Sequence, residues 1–86
     1  METKAHVVLY SRPGCHLCEE MKAALTRAGG AELYTLEEIN IESKPELLER
    51  YRHEIPVLFI DGVEAFRHRL RADEFRSRLT AKASRA

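Results

Sequence analysis

The sequence predicts an α/β domain with the element order β-α-β-α-β-β-α, folded as a four-stranded mixed sheet with helices on both faces. Three observations carry this expectation. A continuous apolar run, His6-Val7-Val8-Leu9-Tyr10, gives way after Ser11-Arg12-Pro13-Gly14 to apolar residues at helical spacing. An Asp61-Gly62 pair separates two further apolar runs at hairpin distance. The chain has 86 residues, which suits a single domain over residues 1–86 with one modest core.

Taken in order, His6–Tyr10 is the first strand, apolar and β-branched as a buried central strand should be. The first helix is expected over Cys15–Ala28, with Leu17, Met21, Ala24 and Leu25 as its apolar stripe, and it stops at Gly29-Gly30. A second strand lies within Leu33–Ile41 and ends near Asn40. Ser43-Lys44-Pro45-Glu46 predicts a capping box, with Ser43 accepting from the backbone at Glu46 and Pro45 in the first turn. The short helix it opens carries Leu47, Leu48 and Tyr51 and ends near Arg52. Ile55–Ile60, the Asp61-Gly62 turn and Val63–Phe66 make an antiparallel hairpin. Ala72–Lys82 forms the last helix, with Phe75 and Leu79 on its inner face, and residues 83–86 are expected to fray. The first two strands are joined by a helix, so they should be parallel with a right-handed crossover.

Composition excludes several classes. Acids and bases balance at 14 each and 44% of residues are hydrophobic, which describes neither a disordered chain nor a strongly charged binding module. The segment from Arg67 onward is basic, but without interleaved aromatics beyond Phe66 and Phe75 it reads as a solvated helix face, not a nucleic-acid surface. No run approaches the roughly 18 apolar residues of a membrane span. The N-terminal residues open directly into the first strand with no signal-peptide pattern, so a cytoplasmic location is expected. In that compartment two cysteines are more often catalytic or metal-binding than structural.

Cys15-His16-Leu17-Cys18 places two thiols one turn apart where a strand and a Pro-Gly turn open a helix. Thiolate is the nucleophile, and free N–H groups at a helix start stabilise it, so Cys15 is the expected attacking thiol. Cys18, further into the helix and on the same face, is placed to resolve a mixed disulfide. Arg12 and His16 add positive character beside Cys15, with His16 a candidate for tuning its ionisation, while Glu19 and Glu20 oppose that effect. The competing readings are a zinc site, a structural disulfide and two unrelated core cysteines. A zinc site needs about four ligands, and His6, His16, His53 and His68 supply no second spaced pair. A loop this short restrains the unfolded chain little. His53 and His68 read as surface residues. Pro56 lacks an N–H, which a strand tolerates at its first residue. A cis Ile55-Pro56 bond there would turn the chain sharply and present a free backbone edge beside the thiols.

Across almost its whole length the chain resembles the glutaredoxin branch of the thioredoxin superfamily. The resemblance rests on Tyr10-Ser11-Arg12-Pro13-Gly14-Cys15-His16-Leu17-Cys18, on Ile55-Pro56-Val57 and on Phe59-Ile60-Asp61-Gly62. It implies a thioredoxin-like, glutaredoxin-type fold with strand order 2-1-3-4 and, with proline opening the strand, a cis Ile55-Pro56 bond opposite the thiols. It also implies reversible dithiol-disulfide exchange through Cys15 and Cys18, with Arg12, Ile55 and Pro56 contacting a peptide or thiol substrate. Two departures stand out. Many glutaredoxins have Cys-Pro-Tyr-Cys where this chain has Cys15-His16-Leu17-Cys18. Glutathione-dependent members carry a glycine pair and an acid after the last strand, where this chain has Phe66-Arg67-His68-Arg69. Arg12 stands where the family often has a lysine facing a glutathione carboxylate, and Arg67 or Arg69 are further candidates for such contacts.

The expectation is therefore an oxidoreductase that acts on protein disulfides or small thiols as a monomer, without nucleic acid or membrane. No cofactor is expected, and glutathione or a reductase would recycle the pair. Two alternatives belong to other classes: an iron-sulfur or metal-binding module holding its ligand at a dimer interface through the CxxC cysteines, and a redox-inert interaction domain.

Overall fold

The computed structural model describes the backbone of residues 4–84 and the side chains of residues 4–81. Its elements are β1 (Ala5–Ser11), α1 (His16–Ala28), β2 (Tyr34–Asn40), α2 (Pro45–Tyr51), β3 (Val57–Ile60), β4 (Val63–Arg67) and α3 (Ala72–Ser84). The four strands form one sheet in the order β2-β1-β3-β4. β1 is parallel to β2 and antiparallel to β3, and β3 is antiparallel to β4. Order, class and pairing are those the sequence predicts.

Each face of the sheet carries its own apolar cluster. Val7 and Leu9 of β1 meet Met21 and Leu25 of α1 and Phe75 and Leu79 of α3 on one face. Phe75 and Leu79 are both buried, as their spacing predicts, and Phe75 sits edge-on to Tyr34 and Phe66. On the other face Ile41, Tyr51, Ile55 and Val57 gather around Cys18. Tyr10 stacks on Tyr51 at 4.8 Å and meets Phe59 edge-on at 5.6 Å. β1 is central but alternates in burial: Ala5, Val7, Leu9 and Ser11 are buried, His6 is exposed, and Val8 and Tyr10 lie between.

The hairpin turns on Asp61 at φ 51° and Gly62 at φ 82°, the positive-φ pair that a two-residue turn requires. It is tied to β1 by the Asp61 N–H donating to the His6 carbonyl at 2.8 Å and the His6 N–H donating to Asp61 Oδ1 at 2.9 Å.

Several local expectations are corrected. Ser43 does not cap α2: the N-cap is Lys44, which makes no side-chain capping bond. Pro45 drives its predecessor out of the helical region, and Lys44 accordingly sits at φ −142°, ψ 135°. Asn40 accepts from the Glu42 N–H at 2.8 Å and starts a 3-10 turn over Ile41–Ser43, which absorbs the serine. β3 begins at Val57, not Ile55, because proline offers no ladder donor. The stripe of α1 runs through Cys18, Met21, Leu25 and Ala28, leaving Leu17 exposed at the end of the sheet. α3 continues through Ser84, so of the expected frayed tail residues 83 and 84 are helical and residues 85–86 lie outside those described.

Candidate functional site

β1 ends at Ser11, and Arg12-Pro13-Gly14 turns the chain into α1. Gly14 holds φ 77°, which lets so short a loop deliver Cys15 to the helix start. Cys15 is the N-cap, at φ −89°, ψ 110°. Its Sγ takes the place that a serine or aspartate oxygen usually fills, accepting from the Cys18 N–H at 3.1 Å. Cys15 and Cys18 are joined as a disulfide, with their Cα atoms 5.2 Å apart. Cys15 is partly exposed, whereas Cys18 is only 1% exposed. One sulfur therefore meets solvent and the other is sealed behind it.

The remaining expected residues fall into two groups. Ile55 and Pro56 are buried on the same side as Cys18, and the cis bond between them is present as expected. The Pro56 carbonyl accepts from the His68 N–H at 2.7 Å, which ties the loop after β4 to the proline. Arg12 and His16 are directed elsewhere. Arg12 donates to Glu42 at 2.9 Å, and His16 Nε2 lies 2.7 Å from Glu20 Oε2, with its side chain 85% exposed. Glu19, expected to oppose a thiolate, faces Lys22 at 3.0 Å. Arg67 is occupied as well, donating to Glu64 through two nitrogens and to Glu54 through a third. These bonds raise its pKa further, so its charge is fixed and already matched. His53 and His68 are exposed, as the sequence suggests.

One cluster escapes sequence reasoning. Ser11, 4% exposed, donates to Glu38 Oε2 at 2.7 Å, and Lys22 reaches the same oxygen at 3.2 Å. The Ser11 hydroxyl is the main cause that holds the Glu38 carboxyl below its usual range; burial opposes it, and the hydrogen bond and charge of Lys22 add to the lowering. The hydrogen bonds that Lys22 donates to Glu19 and Glu38 raise its own pKa in turn. Ser11, Glu19, Lys22 and Glu38 line a cavity of about 330 Å³ with Arg12 and Pro13 of the redox loop. The one available signal was strand register: parallel pairing sets Leu9 opposite Glu38 and Ser11 opposite Asn40.

A sheet in this order, with a half-exposed and a buried cysteine one turn apart at a helix start and a cis-proline beside them, defines a dithiol protein of the thioredoxin fold. The chain belongs to the family described as Glutaredoxin-like domain (DUF836), which matches residues 6–80. It is 29% identical over 75 residues to the glutaredoxin-like protein YDR286C homolog of Dictyostelium discoideum, covering 80% of this chain and 69% of that protein. Among solved structures it is similar to protein Ne2328 from Nitrosomonas europaea, with 34% identity, a TM-score of 0.74, and 91% and 94% of the two chains covered. A thioredoxin from Fasciola hepatica, 18% identical with a TM-score of 0.58 and covering 93% of this chain and 82% of its own, shares the fold. Fold, family and the CxxC pair together support a redox-type function. No helix among the described residues is long and apolar enough to cross a membrane.

Proposed function

We propose that this protein is a thiol-disulfide oxidoreductase in which Cys15 attacks and Cys18 resolves. The Cys15 thiolate attacks one sulfur of a substrate disulfide, forming a mixed disulfide and expelling the other substrate sulfur as a thiolate. Cys18, having given up its proton, attacks Cys15 Sγ, forms the Cys15–Cys18 disulfide and releases the second substrate thiolate. Two electrons pass to the substrate, and an external thiol or dithiol returns them to the pair. The observation that carries this reading is the pairing of an N-cap sulfur that accepts a backbone N–H at 3.1 Å with a partner sulfur only 1% exposed. The first arrangement favours a thiolate, and the second keeps the resolving thiol from outside reagents.

Protein disulfides and small thiols are the proposed substrates, in a reducing, cytoplasmic setting where the pair can be reopened. No resident cofactor enters the scheme. Glutathione is proposed as a weak reductant, since Arg67 is engaged by two carboxylates and no glycine pair follows β4, where His68-Arg69-Leu70-Arg71 precede the first acids, Asp73 and Glu74. The test is mass spectrometry of single-cysteine variants after reaction with an oxidised partner. Cys18→Ser should accumulate a mixed disulfide on Cys15, and Cys15→Ser should form almost none. Adducts forming as readily on Cys18 in the Cys15→Ser protein would overturn the assignment.

A further inference from the structure

Beside the redox motif, α1 and the loop after β4 enclose a second cavity of about 370 Å³. Met21, Ala24 and Leu70 give it an apolar lining, and Arg27, His68 and Arg69 bring cationic or protonatable groups to it. Both walls are continuous with the thiol site. Glu20, at one end of the α1 wall, pairs with His16 of the CxxC dipeptide, and His68 on the other wall is bonded to the Pro56 carbonyl. Elsewhere Arg12, Arg67, Arg71 and Arg78 face carboxylates, Arg76 donates to the Ala28 carbonyl and Arg50 lies over the Tyr51 ring, whereas Arg52, outside this cavity, has no ion pair or side-chain hydrogen bond among the described residues. Among the described residues the Arg27 and Arg69 guanidiniums have no ion pair or side-chain hydrogen bond.

We infer that this groove docks an acidic polypeptide segment flanking the disulfide of a protein substrate, with Arg27 and Arg69 holding its carboxylates. The inference rests on the exchange reading above. Two unmatched guanidiniums in one concavity focus a positive potential, and their planar donors suit carboxylates. Reach decides between a polypeptide and a small thiol. From residue 15 to residue 27 the helix rises about 18 Å at 1.5 Å per residue. Even with Arg27 leaning back toward the helix start, bridging that gap takes roughly four extended residues at about 3.4 Å each. A tripeptide thiol bonded through a central cysteine to Cys15 falls short, whereas a protein strand crossing Pro56 and running down α1 does not.

The test compares kcat/KM of the protein toward peptide disulfides that share one cystine and carry about six acidic, neutral or basic residues on one flank, with a small neutral disulfide alongside. The acidic peptide should react about tenfold faster than the neutral one at low salt, and the basic one slowest, with the spread shrinking at high salt. Arg27→Glu combined with Arg69→Glu, checked for a native thermal transition, should abolish or reverse the acidic preference. Equal rates for acidic and neutral flanks overturn the groove, and so does a preference that survives the double variant. Full preference from a peptide whose acids occupy only the two positions nearest the cystine also overturns it, since carboxylates that close do not reach Arg27. Failure to exchange with any disulfide, the small one included, overturns the exchange reading itself.

Discussion

Gly14 offers a clean probe of how the loop sets the thiol. At φ 77° it adopts a conformation that an L side chain rarely takes, yet a Cβ built there meets nothing within 4 Å. Gly14→Ala therefore introduces no clash, and its whole cost lies in the backbone. Left-handed geometry costs alanine roughly 1–2 kcal/mol, and the stiffer unfolded chain returns only part of it, leaving a net loss of about 1 kcal/mol. Against the ~5–15 kcal/mol stability of a typical domain, the variant still folds. In a domain of this size that loss lowers Tm by about 4–8 °C. Gly14→Asn should recover part of the loss, because asparagine enters the left-handed region more readily. Gly62→Ala, at φ 82° with equally open space, is the control: it should lose similar stability far from the thiols. If the chain relieves strain at residue 14 by shifting Cys15, the 3.1 Å bond from the Cys18 N–H lengthens. Alkylation of the reduced Gly14→Ala protein at fixed pH should then slow, while the Gly62→Ala protein is unaffected. Urea unfolding and alkylation kinetics read both effects. An alanine cost below about 0.3 kcal/mol, or an asparagine variant no more stable than the alanine one, would refute the reasoning.

Ser11→Ala should destabilise by about 1 kcal/mol near neutral pH, after allowing for solvent screening at the half-exposed Glu38. The folded-state pKa of Glu38 is depressed, so its contribution is present above the ordinary value of 4.5 and lost as pH falls through the folded value. The gap between wild type and variant should accordingly close in acid, as urea midpoints across pH will test. Phe75→Ala, at a fully buried site ringed by Tyr34 and Phe66, should cost about 3–5 kcal/mol by equilibrium unfolding. Glutathione should reduce the Cys15–Cys18 disulfide roughly tenfold to a hundredfold less effectively than it reduces a glutaredoxin retaining the glycine pair and acid. Rapid, saturable reduction at low millimolar glutathione would contradict this.

Local chemistry was legible wherever one short segment decides the outcome. A strand ending in Pro-Gly before C-x-x-C, an Asp-Gly turn, and phenylalanine and leucine four apart each have one low-energy arrangement. Failures arose where two local signals competed or a distant residue chose. Ser43 had the composition of a cap, but Pro45 outranked it by fixing Lys44 in extended backbone. Leu17 matched one helical stripe and Cys18 another. Periodicity alone cannot choose between stripes offset by one residue, and packing against Ile41 and Val57 chose Cys18. Arg67 was available to a ligand on sequence grounds, until the hairpin and the loop before β3 brought it to Glu64 and Glu54. The Ser11–Glu38 bond links residues 27 positions apart and depends on the parallel register.

Topology explains why the candidate site gathers at one end of the sheet. β1 runs toward Ser11, and β3, antiparallel to it, begins at that same end, with Val57 opposite Tyr10. β4 runs back again, so Arg67 pairs with Val57 and the chain leaves the sheet beside Pro56. Three segments far apart in sequence, the Arg12–Gly14 loop, the cis Ile55–Pro56 pair and the 68–70 loop, thus meet by pairing order alone. α1 starts at this end with Cys15 as its cap and descends along the face it shares with α3. On the proposed reading, a substrate disulfide held at Cys15 would have the proline on one side and the α1 groove ahead of it, and the sheet that places the thiols would also set the path for the chain attached to them. Altering Arg27 or Arg69 should therefore change which disulfides are chosen, whereas altering Gly14 should change how fast any of them is attacked.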